Sequence, residues 1–159
     1  MRVPRFSRFS PYAVPAILVA GFLACKGSDT TTSPGALANI TVNGPSSATS
    51  GQSITLDLAA TAVGVNNVQN GMVTLTVPSP FVANSVDASS GTSATISGGA
   101  VTWNLGTLDS NSQSTLHVNV TGTLPPGSAS HSVTFQATLT ATGINAGDAV
   151  GSATVQLNP

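Results

Sequence analysis

The side chains that could carry out chemistry in this 159-residue chain are many serines, two histidines, five aspartates and one cysteine, Cys25. A serine hydrolase needs a serine, a histidine and an acid, but the nucleophile-elbow pattern G-x-S-x-G does not occur in the sequence. His117 alternates with Leu116 and Val118, so we expect it to face solvent as an ordinary strand residue. His131 follows a loop at the start of the next apolar segment. The sequence therefore predicts no catalytic residue and no enzyme.

Metal ligands are equally sparse. Zinc sites usually take three or four ligands from His, Cys and carboxylate side chains, and this chain offers two histidines and no glutamate. Asp109, Asn111 and Gln113 form an alternating oxygen-bearing run that resembles the start of a calcium loop. The sixth and twelfth positions of such a loop are Ser114 and Val120 here, instead of glycine and glutamate. We interpret the run as a polar hairpin loop and predict no metal or cofactor, although a surface Ca²⁺ held by loop aspartates and carbonyls stays open as an alternative.

Cys25 ends an N-terminal segment that has the composition of an export signal. Arg2, Arg5 and Arg8 form its basic start, and the 13 residues from Tyr12 to Ala24 form its apolar part. A helix that spans a hydrocarbon core needs roughly 20 apolar residues. The segment is therefore predicted to be cleaved rather than kept as a membrane helix.

The junction at Cys25 resembles the lipobox of bacterial lipoproteins, in which a small residue precedes a cysteine that is lipidated and becomes the mature N-terminus. Ala24 is the small residue here, while Phe22 and Leu23 stand where the motif usually carries leucine and then a small residue. The resemblance implies lipidation of Cys25 and attachment to a bacterial membrane, with the outer membrane or cell surface as the expected location. The alternative is an ordinary secretory peptide cut nearby, which leaves a secreted protein with one free thiol.

The charge distribution excludes several classes of partner. After Cys25 the chain has one lysine, Lys26, against five aspartates, a net formal charge of −4 with the histidines neutral. A protein that binds a phosphate backbone needs lysines and arginines to displace counterions. We therefore expect no nucleic-acid binding, and we expect membrane contact through the N-terminal lipid alone.

The chain after the leader divides into a tether and one domain. Residues 1–24 are the predicted signal peptide, and residues 25–36, rich in Gly, Ser, Thr and Pro, are a predicted flexible linker behind Cys25. From residue 37 to 159 the apolar residues recur at period two, which is typical of strands with one buried face. Phe81 to Asp87 is a weaker strand pattern, and Gly98–Gly99 predicts a two-residue hairpin turn. We predict an all-β, antiparallel, immunoglobulin-like sandwich of about seven to nine strands, with a barrel as the alternative.

The segment from Val101 to Gly122, VTWNLGTLDSNSQSTLHVNVTG, resembles the immunoglobulin-like surface repeat known as "domain of unknown function eleven". In that family a tryptophan strand runs into a Leu-Gly-x-Leu turn, a small polar loop and a strand of alternating threonine and aliphatic residues. The matching positions here are Trp103, Leu105, Gly106, Leu108 and the strand from Thr115 to Thr121. The motif is structural, so the resemblance implies an immunoglobulin-like fold in a cell-surface protein and carries over no catalytic residue.

Three functions remain open on the sequence alone. The first is a non-catalytic cell-envelope lipoprotein with a structural, adhesive or protein-interaction role, whose partners would be other envelope proteins. The second is a carbohydrate-binding module for surface glycans; Trp103 is expected to be buried, so Phe81 is the only plausible loop aromatic on which a sugar could stack. The third is a fibre or assembly subunit joined through the edges of its sheets, since the domain has no lysine or arginine with which to protect them.

Overall fold

A computed structural model describes residues 37–144 and 149–159 of the chain. Cys25, the predicted signal peptide and the whole predicted linker lie outside these residues, as does Asp148. The described residues form ten β-strands: β1 (Leu37–Asn43), β2 (Ser47–Thr49), β3 (Ser53–Val63), β4 (Val68–Thr76), β5 (Phe81–Ala88), β6 (Ser93–Ser97), β7 (Ala100–Leu108), β8 (Gln113–Gly122), β9 (His131–Thr140) and β10 (Val150–Asn158). Within the described residues, no helix is long and apolar enough to cross a membrane.

The strands build two sheets, with the orders β1-β3-β8-β5 and β2-β10-β9-β4-β7-β6. The first is the ABED sheet of an immunoglobulin domain, and β10-β9-β4 is its GFC sheet. Two additions distinguish this chain: the hairpin β6–β7 extends the second sheet beside β4, and β2 adds a short strand beside β10. The predicted immunoglobulin-like sandwich is thus confirmed, rather than the barrel.

Two details of the predicted fold are wrong. Residues 37–144 and 149–159 contain ten strands instead of about seven to nine, and the second sheet is mixed instead of wholly antiparallel, because β2 pairs with β10 in parallel. Only three residues of β2 pair, from Ser47 to Thr49. A three-residue strand is too short to show a period of two in the sequence, and β2 is parallel to β10 because it continues along β10 in the direction of β1, whose Ile40 lies against Gly151.

Alternation of side chains along the strands builds the core. On β3, Ile54, Leu56 and Leu58 are buried while the residues between them face out. The alternate apolar residues of β7, β8 and β9 are buried in the same way, and those with no exposed surface include Val101, Trp103, Leu116, Val118, Val120, Phe135, Ala137 and Leu139. The two inner faces therefore pack into one apolar core, as period-two patterning requires.

The predicted glycine hairpin lies between β6 and β7. Gly98 and Gly99 have φ angles of +55° and +82°, and β6 pairs with β7 from Ser97↔Ala100 onward. Positive φ at both central residues is the geometry of the two-residue hairpin turn, which glycine adopts without the clash of a Cβ atom. The turn places Trp103 of β7 in the core, where its Nε1–H donates to Thr92 Oγ1 at 3.0 Å.

Candidate functional site

The titratable side chains of the four-stranded sheet lie in one row across its outer face. Asp57 on β3 is the cross-strand partner of His117 on β8, and His117 is in turn the partner of Asp87 on β5. Their neighbours in each strand, such as Leu56 and Leu116, point into the core, so alternation sends all three polar side chains outward. The sequence placed His117 on this exposed surface correctly but did not show that it lies between two carboxylates.

The histidine in this row is paired on one side. His117 Nδ1 lies 2.6 Å from Asp57 Oδ1, and the two side chains are 51% and 57% exposed. An imidazole oriented by a carboxylate is part of many catalytic groups, but such groups act in sites that exclude water. Here both partners stand in solvent on an open sheet surface. The pair therefore has the features of an exposed surface contact.

Two hydroxyl groups beside this histidine, those of Thr55 and Ser85, are engaged with Asn119. In the adjoining row the Thr55 hydroxyl donates to Asn119 Oδ1 at 2.8 Å, and Asn119 Nδ2 donates to Ser85 Oγ at 3.0 Å. Thr55 and Ser85 thus hydrogen-bond Asn119 instead of His117. A nucleophile within hydrogen-bond reach of its base is the signature of covalent catalysis, and these two hydroxyl groups have Asn119 as their hydrogen-bond partner.

The two histidines are far apart in the fold. His117 belongs to the four-stranded sheet, whereas His131 begins β9 in the six-stranded sheet, opposite Leu157. Across the part of the chain that the structure describes, no three His, Cys, Asp or Glu side chains are grouped so that they could hold a metal ion.

The run from Asp109 to Gln113 is a tight turn with its own hydrogen bonds. The Ser112 amide donates to the Asp109 carbonyl at 2.9 Å, and Asn111 adopts a φ of +58°. Asn67 ties the turn to the neighbouring loop: its Nδ2 donates to Asp109 Oδ1 at 3.1 Å, and its Oδ1 accepts from the Ser110 amide at 2.9 Å. The Asp109 carboxylate is thus engaged with Asn67.

The prediction that this run is a hairpin loop is wrong. It connects β7 of the six-stranded sheet to β8 of the four-stranded sheet, so the chain passes from one sheet to the other through this surface turn. A short polar turn can join two paired strands of one sheet or two strands of different sheets. Which of these occurs depends on the strands with which the flanking strands pair, so the composition of the turn does not distinguish them.

The aromatic side chains of the described residues are all buried. Phe81 is 3% exposed, and Trp103 and Phe135 have no exposed surface. Phe81 packs against Phe135 in an edge-to-face arrangement, with ring centroids 5.1 Å apart and planes at 68°. The expectation that Phe81 is a loop aromatic available to a sugar ring is therefore wrong, because Phe81 begins β5 and points into the core.

The outer face of the six-stranded sheet is a broad surface without charge. Cross-strand pairing aligns Thr138 of β9, Thr74 of β4, Thr102 of β7 and Thr95 of β6 in one row. Serine, threonine, asparagine and glutamine also fill most of the adjoining outward positions, and Thr134 and Thr154 share a hydrogen bond of 2.9 Å between their hydroxyls. None of the strands β4, β6, β7 and β10 carries a titratable residue. This threonine face is a candidate interaction surface. It cannot be recognised in the sequence, because the row forms only when four strands pair in register.

Comparison with solved structures finds the same fold in several proteins. The CARDB domain of the PF1109 protein from Pyrococcus furiosus, solved in complex with di-metal ions, superposes with a TM-score of 0.54 at 14% identity, over 78% of this chain and 90% of that one. A cohesin module from a Clostridium perfringens family 33 glycoside hydrolase gives 0.54 at 18% identity, over 77% and 98%. AvmM, which catalyses macrocyclization in alchivemycin A biosynthesis, gives 0.50 at 14% identity, over 79% and 89%.

These likenesses establish the sandwich and nothing finer. At such identities they show the fold alone, and a fold hosts unrelated functions. No family model matches the sequence, and no curated protein matches it. The resemblance to the surface-repeat family thus stays a prediction, and the function has to be inferred from the residues of this chain.

Proposed function

We propose that this chain is a non-catalytic protein of the bacterial cell envelope, anchored by a lipid on Cys25, whose β-sandwich serves a structural, adhesive or protein-interaction role. The claim that the protein is non-catalytic is supported chiefly by where its reactive side chains lie. Asp57, His117 and Asp87 stand in solvent on an open sheet, and their hydroxyl neighbours are bound to Asn119. What the described surface offers instead is a wide uncharged face and exposed sheet edges.

The envelope location is supported by the N-terminal sequence. An arginine-bearing start, a short apolar run and a cysteine after Ala24 precede a polar linker of 11 residues, 26–36, which separates Cys25 from the first strand. A flexible linker of this length would hold the sandwich a few nanometres from a membrane at most. The domain would then meet partners at the membrane surface or on neighbouring envelope proteins.

The surface-repeat resemblance supports the same role. The residues that carry the motif are structural in this fold: Trp103 and Leu105 are buried on β7, Leu108 is buried at its end, and Gly106 has a φ of +63°. A family defined by such residues shares a scaffold and not an active site. We retain membership of that family as part of the proposal.

Carbohydrate binding is less favoured than protein contact. Sugar-binding surfaces commonly stack rings on exposed aromatic side chains, and all three aromatic residues of the described part of the chain are buried. Any glycan would have to be held by hydroxyl and amide side chains alone. Protein contact through a broad uncharged face does not require exposed aromatic side chains.

Metabolic labelling tests the proposal. Cells that produce the native chain or Cys25→Ala would be fed an alkyne fatty acid, and both proteins followed by fractionation. We expect label and membrane association for the native chain and loss of both for the variant. A native chain without label, or equal labelling of the two proteins, would overturn the lipid anchor.

A further inference from the structure

The sandwich has four edge strands, and three of them carry features that oppose pairing with another chain. β1 lies against β10, where a Cβ atom on Gly151 would fall 2.5 Å from the Ile40 carbonyl oxygen. β2 is only three residues long. β5 is interrupted by a bulge between Ala83 and Ser85 and carries the charged Asp87. Contact with a neighbouring strand, shortness, bulges and charge are the devices by which natural sheets protect their edges.

The fourth edge, β6, lies beside β5 of the other sheet, but it has no bulge and no charge. Its five residues, Ser93 to Ser97, pair with β7 at five consecutive positions without a register shift. The strand contains no charged residue, proline or glycine. Within the described residues it pairs with β7 alone, so the other side of its backbone is open. Unpaired amides and carbonyls along a regular edge are a template for an added strand.

The sequence of β6 is suited to pairing with a second copy of itself. In an antiparallel pair centred on Thr95, that threonine lies opposite its own copy, Ser93 lies opposite Ser97, and Ala94 lies opposite Ile96. The first three are small hydroxyl residues on the outer face, where threonine pairs stabilise adjacent strands. On the inner face the small Ala94 meets the large Ile96, so the two copies are complementary in volume.

Exposure and charge also favour a second copy. Ile96 is 38% exposed although it points toward the core side of its sheet, because it lies at the open margin of the sandwich. A paired copy would cover it. β6, β7 and β4 carry no titratable side chain, so no charged group on these three strands opposes the approach of a second copy along β6.

We propose that two copies of this protein pair through β6, antiparallel about a two-fold axis at Thr95, which joins their six-stranded sheets into one continuous sheet. This inference rests on the proposed role as a protein-interaction module, and it identifies the partner as a second copy of the chain. An isologous contact of this kind uses the β6 edge of both copies and closes the assembly. The protein is then a dimer instead of the open fibre that edge pairing in a chain of subunits would give.

Cross-linking at the axis tests the geometry. In the full chain carrying Cys25→Ala, Thr95→Cys would place two thiols directly opposite each other, at the roughly 4.5–5.5 Å Cβ separation of cross-strand partners. The matched control is Thr41→Cys, an exposed threonine on β1. We expect mild oxidation to yield a disulfide-linked dimer of Thr95→Cys at least about tenfold faster than of Thr41→Cys. Equal rates for the two variants would overturn the proposal.

Charge substitution tests the equilibrium. Thr95→Lys and Thr95→Asp each bring like charges together at the axis, so each should weaken dimerisation by roughly tenfold or more in sedimentation, and an equimolar mixture should restore it. Thr41→Lys should leave the dimer unchanged, and Trp103 fluorescence confirms that each variant is folded. A Cys25→Ala chain that is monomeric at all concentrations would overturn the dimer. That result is independent of lipid labelling, so failure of the dimer and failure of the membrane anchor can be told apart.

Discussion

Gly151 of β10 lies against the backbone of Ile40 of β1, so closely that a Cβ atom at position 151 would fall 2.5 Å from the Ile40 carbonyl oxygen and 3.1 Å from its carbonyl carbon. The two residues belong to different sheets. Their contact brings the edge of the four-stranded sheet against the six-stranded sheet on one side of the sandwich. On the opposite side β5 and β6 are the two edges, and within the described residues β6 pairs with β7 alone.

This contact predicts that Gly151→Ala destabilises the domain. The added methyl group meets backbone atoms, which cannot rotate away as a side chain can, so one of the two strands must shift. We expect a loss of about 1–3 kcal/mol in the free energy of unfolding, measured by urea denaturation. Ser152→Ala, on the neighbouring residue of the same strand with its side chain exposed, is the control and should change stability by less than about 0.5 kcal/mol. Equal stabilities for Gly151→Ala and the native chain would contradict the close approach.

The burial of Phe81 predicts that its role is structural. Phe81→Ala removes a ring that contacts Phe135 in the core, so unfolding should become easier by roughly 3–5 kcal/mol. Val82→Ala, at a side chain that is 64% exposed on the same strand, should have little effect. Thermal denaturation of both variants makes the comparison. A stable Phe81→Ala variant would mean that the ring is not in the core.

The hydrogen bond of Trp103 predicts a measurable cost when its acceptor is removed. Thr92 Oγ1 accepts from the indole at 3.0 Å and donates to the Ser89 carbonyl at 2.8 Å. Thr92→Val keeps the shape and loses both bonds, so we expect a loss of about 1–3 kcal/mol. Trp103 is the only tryptophan of the chain, so its fluorescence reports both the packing and the unfolding transition. Thr92→Ser retains the hydroxyl and should preserve more of the stability than Thr92→Val.

The exposed pair of His117 and Asp57 is predicted to contribute little to the stability of the domain. Side chains that are about half exposed or more in water gain little from pairing, because solvent screens their attraction. A double-mutant cycle with His117→Ala and Asp57→Ala should give a coupling energy below about 1 kcal/mol. A coupling several times larger would mean that the pair lies in a more enclosed environment than an open sheet face provides.

The sequence predicted the fold well where alternation was regular, and it failed where local structure interrupted it. On β5, Phe81 and Ala83 point inward, but the bulge before Ser85 shifts the pattern so that Val86 and Ala88 point inward next. One extra residue reverses the side-chain direction, which is why the strand pattern from Phe81 to Asp87 is weak in the sequence. Alternation predicts the buried faces of β3, β8 and β9, where no such shift separates the inward residues, and that of β7 as far as Leu105.

The candidate surfaces could not be read from the sequence because they depend on which strands become neighbours. His117 and Asp57 are 60 residues apart, and their pairing exists only because β3 and β8 lie side by side. The threonine row likewise takes one residue from each of four strands. By contrast, β6 is a single segment of five consecutive residues. Its self-complementary sequence can be recognised once the structure shows that this strand is an edge.

Intact mass of the protein purified from its own membranes tests the anchored-envelope role most directly. The native chain is predicted to start at Cys25 and to carry additional mass equal to acyl groups, and Cys25→Ala is predicted to lack that mass. A native chain cut elsewhere and free of lipid would contradict the membrane anchor and make the protein a secreted domain with one free thiol.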